Sequence, residues 1–302
     1  MIKKEDFTMD ISIDNTLTTD IAAPCAAQPE TKATTAQFVG SIPEMYDEHL
    51  GPLLFEFSAA DLSKRVGDAL TGADKLLEVA CGTGILTEHL WRTLGPKTEI
   101  LATDLNDAML DYARDRRGAL AGVRYQQADA LSLPFADNSF DAVVCGFGIM
   151  FFPDKPRAFA EFARVLKPGG VLAFNVWGSL EDNRVADIAR ATIAGFFDND
   201  PPDFLTVPFG FHETGPIHEL IRGAGLAVEQ TATVSVTIER PDAVSVSRGF
   251  VEGNPGILQI RERADVDAEE IVQKVADEIE QAFGPAPLRI RLREIAFLAR
   301  KP

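Results

Sequence analysis

Short apolar runs alternating with segments of helical periodicity are the feature that most narrows what this chain can fold into. The runs fall at 75–79, 98–103, 123–127, 140–146 and 171–177, and helical patterns lie at 85–94, 106–117, 156–166 and 182–197. A parallel strand connection needs a crossover, so this alternation predicts a doubly wound α/β fold with helices on both faces of a mostly parallel sheet. Two further runs, 226–239 and 288–299, read as strands separated by helical patterns, one of which repeats Ile271, Val275, Ile279 and Phe283 before Gly284-Pro285. The expectation is therefore a seven-stranded sheet with a helical lid, 240–284, inserted before the last strand. Residues 1–36 lack sustained periodicity and read as a disordered leader to a single domain spanning 37–302.

Charge then excludes partners. Against 29 Lys and Arg stand 46 Asp and Glu, a formal net charge of −17, and only −3 of this lies in the leader. A polyanionic nucleic acid or an anionic bilayer recruits basic clusters, so neither is expected. No run reaches the length of a membrane-spanning helix. Cys25, Cys81 and Cys145 form no Cys-x-x-Cys pair, so neither a disulfide framework nor a metal site is expected. A reduced, cytoplasmic protein is the expectation.

The densest chemical signal is Leu76-Leu77-Glu78-Val79-Ala80-Cys81-Gly82-Thr83-Gly84, running from a predicted strand into a helix. Glycines there let a ligand approach the backbone at the carboxyl edge of the sheet, where open α/β sheets bind ligands. Thr87 stands where a third glycine would complete a dinucleotide pattern, which weakens a pyrophosphate reading. The second strand ends at Asp104, placed to accept hydrogen bonds from both hydroxyls of a ribose. The third ends at Ala128-Asp129-Ala130, within reach of an adenine.

With EVACGTG at 78–84, TDLNDAML at 103–110, ADALSLPFADNSFDAVVCGFGIMFFPD at 128–154 and RVLKPGG at 164–170, the chain resembles the class I S-adenosylmethionine-dependent methyltransferases of the ubiquinone/menaquinone, or type 11, group. Residues 42–56 look like the leader helix of that group, which folds over the cofactor. The resemblance implies S-adenosyl-L-methionine as cofactor and assigns roles. Glu78, Ala80, Gly82 and Gly84 would hold its methionine end, Asp104 the ribose, and Leu105, Met109, Asp129 and Ala130 the adenine. Cys145, Gly146 and Phe147 would face the substrate, and Tyr46 would close the cofactor from above. His49 and His212 are the expected catalytic bases; His89 reads as solvated or packed. The cysteines read as small buried spacers.

Ten of the 20 phenylalanines fall between Phe151 and Phe211. Phe159, Phe162 and Phe174 fit core positions, whereas Phe196, Phe197, Phe204, Phe209 and Phe211 surround a Pro- and Asp-rich loop. Pockets are lined mainly by apolar and aromatic groups, so this loop and the lid are expected to enclose a small, largely apolar methyl acceptor. A homodimer is left open. An NAD(P)-dependent reductase is disfavoured by Thr87 and by the lack of any Tyr-x-x-x-Lys at Tyr46, Tyr112 or Tyr125. A cofactor-binding protein with a non-methylating activity is the remaining alternative.

Overall fold

The structure, a computed structural model, describes residues 10–14, 38–70, 72, 75–263 and 266–302. In chain order the elements are β1 (Asp10–Asp14), α1 (Ile42–Met45), a π-helical segment (Tyr46–Phe55), α2 (Glu56–Ala69), β2 (Lys75–Val79) and α3 (Ile85–Leu94). There follow β3 (Glu99–Asp104), α4 (Asp107–Arg117), β4 (Val123–Gln127), β5 (Phe140–Gly146), α5 (Lys155–Val165), β6 (Leu166–Trp177) and α6 (Arg184–Ala194). The chain ends with α7 (Thr206–Phe209), α8 (Thr214–Gly223), β7 (Ala227–Arg240), α9 (Ala243–Glu252), α10 (Gly256–Arg263), α11 (Ala268–Phe283) and β8 (Leu288–Arg300).

The sheet runs β1-β7-β8-β6-β5-β2-β3-β4. Strands β6, β5, β2, β3 and β4 pair in parallel, and helices supply the crossovers. β8 is antiparallel to both β6 and β7, because the chain returns to the sheet from the lid side. The expected seven-stranded, mostly parallel sheet is thus present in the body, with α9, α10 and α11 inserted before its last strand. One strand is added: Asp10–Asp14, inside the expected leader, pairs antiparallel with β7 and covers an edge that would otherwise present unpaired backbone groups. Residues 1–9 and 15–37 lie outside the described residues.

Two local features depart from the expectation. The leader helix, 42–56, is π-helical through Tyr46–Phe55, with the Glu56 N–H donating to the Gly51 carbonyl five residues back and Pro52, which has no N–H, inside it. β6 begins at Leu166 instead of Val171: Leu166 pairs with Phe140, and residues 167–170, expected as a turn, bulge out before Val171 pairs with Ala142.

Both faces of the sheet are covered. On one, Leu62 and Val66 of α2 and Leu90 of α3 bury against Leu76, Val144 and Leu298. On the other, Phe159 and Phe162 of α5 meet Phe174 and Phe297, and Ile271, Val275 and Ile279 of α11 are buried as their spacing predicts. α9 lies so close to the π-helical segment that a Cβ on Gly249 would fall 2.7 Å from Leu50 Cδ2. Lid and leader helix therefore pack as one cover. Among the described residues no helix is long and apolar enough to cross a membrane.

The Phe174 and Phe297 rings, both fully buried, stack at 4.8 Å across the antiparallel β6–β8 pair. Phe297→Ala is expected to lower the unfolding free energy by about 3–5 kcal/mol through lost burial and the cavity left behind, measured by denaturant unfolding followed by circular dichroism.

Candidate functional site

The site forms where β2, β3 and β5 end. After Val79 the backbone turns through Ala80 (φ 56), Gly82 (φ 56) and Gly84 (φ 86) into α3. A Cβ on Gly82 would meet no protein atom within 4 Å and would project into the cleft. After β5 the chain turns through Phe147 (φ 53), and a Cβ on Gly148 would lie only 2.5 Å from Ala80 Cβ. Two non-glycine residues in the left-handed region, one on each facing turn, mark a backbone held in place by its surroundings.

Three adjoining cavities open there. One of about 290 Å³ is lined by Ala80, Gly82, Asp104, Leu105, Met109, Asp129 and Ala130, and Gly146 completes the set on the β5 side. A smaller one of about 50 Å³ holds Glu78, Ser58 and Asn175. A third, of about 70 Å³, is bounded by Leu50, Leu54, Met150, Trp177, Phe204, Phe209 and Phe250. Tyr46 and Phe147 line all three. Tyr46 stacks on Phe55 at 4.7 Å and Phe147 on Trp177 at 4.0 Å, so the junction is walled by aromatic faces.

The polar groups divide the cleft by role. The Asp104 carboxylate accepts from the Gly82 N–H at 2.9 Å and the Asn106 N–H at 2.8 Å, which fixes it at the cavity wall with lone pairs remaining for ligand hydroxyls. Burial raises its pKa, opposed by those hydrogen bonds. Glu78 is fully buried. Its Oε2 accepts from the Thr87 hydroxyl at 2.6 Å while Oε1 has no partner. Thr87, which broke the dinucleotide pattern, therefore supports this carboxyl. Desolvation pushes Glu78 up to about 8, with Asp104 adding to the shift and the Thr87 bond opposing it. An orphaned buried carboxyl oxygen beside a small cavity is the environment an ammonium group would complete. Leu105, 52% exposed, and Met109 offer flat apolar cover on the far side, and Asp129, its Oδ1 taken by the Leu131 N–H at 2.8 Å, stands at that end. The residues present thus fit the tail, ribose and adenine of S-adenosylmethionine in order.

Four expected site residues lie elsewhere and line none of the three cavities. Gly84 turns toward α4: a Cβ there would lie 3.1 Å from Arg117 Cδ. Cys145 is buried behind the β5 turn, its thiol pushed up to about 12 by burial. His49 lies on the side of the leader helix facing α9, where Nδ1 is 3.0 Å from Ser245 Oγ, and burial lowers its pKa. Tyr46, Leu50 and Leu54, four residues apart, are the face turned to the cavity. His212 Nδ1 bonds the Phe209 carbonyl at 2.9 Å. The two histidines expected as bases are thus held by other partners, and His89 pairs with Glu56 at 2.8 Å near the surface. Phe211 instead meets Lys155, whose ammonium is 4.9 Å from its ring centre.

Residues not anticipated include Ser58, Asn175, Trp177, Phe38 and Phe55. Asn175 left a signal, being the one amide in the apolar run 171–177. An ion-pair network ties the cover to the cleft: Arg117 contacts Asp47 of the leader helix at 3.2 Å and donates to the Thr83 carbonyl at 2.7 Å.

Residues 77–174 match the family model of a methyltransferase domain, type 11. The chain is 44% identical over 119 residues to the ubiquinone/menaquinone biosynthesis C-methyltransferase UbiE of Idiomarina loihiensis, covering 37% of this chain and 47% of that protein. Against UbiE of Pasteurella multocida the identity is 35% over 177 residues, 55% of this chain and 65% of that one. The matched region thus spans roughly half the length of these curated relatives. Among solved structures, a protein from Bacillus halodurans described as a methyltransferase candidate superposes with a TM-score of 0.54 at 23% identity, over 80% of this chain and 99% of that one.

Asp104→Ala is expected to weaken S-adenosylmethionine binding by about 1.5–3 kcal/mol, the range for hydrogen bonds involving a charged group, in isothermal calorimetry; unaltered affinity would mean the ribose is held elsewhere. A second expectation concerns pH. Glu78 keeps its proton to about 8 in the folded chain but loses it near 4.5 when unfolded, so the folded state binds more protons across that window. Stability of the ligand-free protein should fall as pH rises from 5 to 8, and Glu78→Gln should flatten the fall in denaturant midpoints.

Proposed function

Because the chain carries a class I S-adenosylmethionine-dependent methyltransferase domain of type 11, we propose that it transfers the cofactor's methyl group in line to a small, largely apolar acceptor, of which an aromatic quinol is the model. The observation that carries this is the apolar third cavity, joined to the cofactor cleft at Tyr46 and Phe147. The names of the UbiE relatives supply the acceptor class.

Bound in the cleft, the cofactor supplies a methyl group already activated on a sulfonium. What the chain adds is alignment and dryness, since orienting two reactants contributes about 7–11 kcal/mol to barrier lowering. The aromatic faces of Tyr46, Phe55 and Phe147 exclude water from the junction and favour a positive charge beside them. Burial, with Asp104 and Asp47 adding to it, raises the Tyr46 pKa far above neutral, so its phenol remains a donor. The acceptor side is walled by Phe204, Phe209 and Phe250, which suits an apolar body.

Incubation with S-adenosylmethionine and a panel of acceptors, hydroquinones and phenols among them, is expected to yield S-adenosylhomocysteine together with a methylated product seen by mass spectrometry. Phe204→Ala and Phe209→Ala should each raise the KM for an accepted substrate about tenfold, while cofactor affinity stays within about threefold. Unchanged KM for every accepted compound would remove the acceptor assignment of this cavity.

A further inference from the structure

Glu294 is a carboxyl with no evident reason to be where it is. It stands at an inward position of β8, where the alternation of apolar residues with Arg over 288–293 gives way to the apolar run 295–299, paired with Trp177 of β6 and Val234 of β7, and is fully buried. The nearby cation on α2, Arg65, is bonded to Asp61 at 2.5 Å, so among the described residues no ion pair accounts for it. Its Oε1 has no hydrogen-bond partner, and the Ser58 hydroxyl of α2 donates to the Leu54 carbonyl at 3.2 Å. Its Oε2 accepts from Asn175 Nδ2 at 3.2 Å.

That last bond determines how Asn175 is oriented. Asn175 Oδ1 accepts from the Phe147 N–H at 3.1 Å. An amide side chain has an acceptor end and a donor end, so the donor end must find an acceptor, and Glu294 is the acceptor facing it. Without Glu294 the amide loses the partner that prevents a flip, which would place a donor against the Phe147 N–H. Phe147 is the residue with most to lose: its backbone is in the left-handed region at φ 53 and its ring lines all three cavities. A strained backbone persists only where its surroundings hold it.

We propose that Glu294 is a positioning residue for the cofactor site, fixing Asn175 so that Asn175 holds Phe147 at the junction between cofactor and acceptor. The inference rests on the reading of the cleft as the S-adenosylmethionine site. Desolvation pushes Glu294 up to about 8, so near neutral pH the residue is an uncharged hydrogen-bonding group, and an apolar side chain of similar length removes its bond without removing a charge.

The test uses the full chain and calorimetric titration with S-adenosylmethionine, alongside denaturant unfolding. Glu294→Met should still fold, with a lowered denaturant midpoint because the buried Asn175 amide loses its acceptor, and bind the cofactor about tenfold more weakly. Glu294→Gln, which keeps an acceptor for Asn175, should stay within about threefold of the parent. In an Asn175→Ala background, Glu294→Met should cost no further affinity, because the two act through one chain of bonds. Glu294→Leu serves as a second variant without an acceptor should the Met variant not fold. Parent-like affinity in a folded Met or Leu variant, or effects that multiply with Asn175→Ala, would overturn the inference. A parent chain that does not bind S-adenosylmethionine would instead fail the cofactor reading, and this inference with it.

Discussion

Parallel pairing of β5 between β2 and β6 brings the turn after β2 against the turn after β5, and the cleft exists because of that approach. The separation is so small that only a glycine at 148 clears Ala80. Each turn carries one non-glycine residue in the left-handed region, Ala80 and Phe147. Such a conformation is tolerated when neighbouring hydrogen bonds over-determine it, and Asn175 provides one of them on the β5 side. The sheet therefore does more than support the site. Its strand order dictates which turns meet, and their meeting gives the cavity its floor.

From this floor the cover follows. The leader helix is anchored through Asp47 to Arg117, which also holds the Thr83 carbonyl of the β2 turn, and it packs tightly against α9 at Gly249. Tyr46, Leu50 and Leu54 are consequently pointed into the cavities while His49 is turned to α9. A one-residue difference in helical phase separates a cavity wall from a packed histidine.

The same logic explains what was legible in the sequence. Strands 75–79, 123–127 and 140–146 and helix 85–94 fall at their expected bounds: the buried strands 75–79 and 140–146 are short apolar runs and the helices carry a clear period, and the half-exposed edge strand 123–127 keeps the beat of the elements around it. Glu78, Gly82, Asp104, Asp129 and Ala130 come together around one cleft, since they lie at or just past strand ends whose position the alternation fixes. Side-chain direction was not legible. Gly84 and Cys145 lie in the right motifs but face α4 and the interior. The strand Asp10–Asp14 forms by pairing with β7, a tertiary event with no local period to announce it. Asn175 did leave a trace, as the one amide in an otherwise apolar run, whereas Glu294 follows Arg289, Arg291 and Arg293 and is set apart only by its inward register, and burial made both consequential.

Chemistry on the acceptor side follows from what surrounds it. Of the described residues bounding the third cavity, only Tyr46 is titratable, and its environment disfavours the phenolate. Asn254, the other polar neighbour, has its amide engaged by the Phe250 carbonyl and the Gly256 N–H. A base within hydrogen-bond reach would contribute about 10²–10⁴-fold to rate, and among the described residues this wall provides none. On the proposed reading, an acceptor that brings its own nucleophilicity, as an electron-rich ring carbon or an already ionised oxygen does, suits such a wall, and the protein would contribute alignment across Phe147 and removal of water.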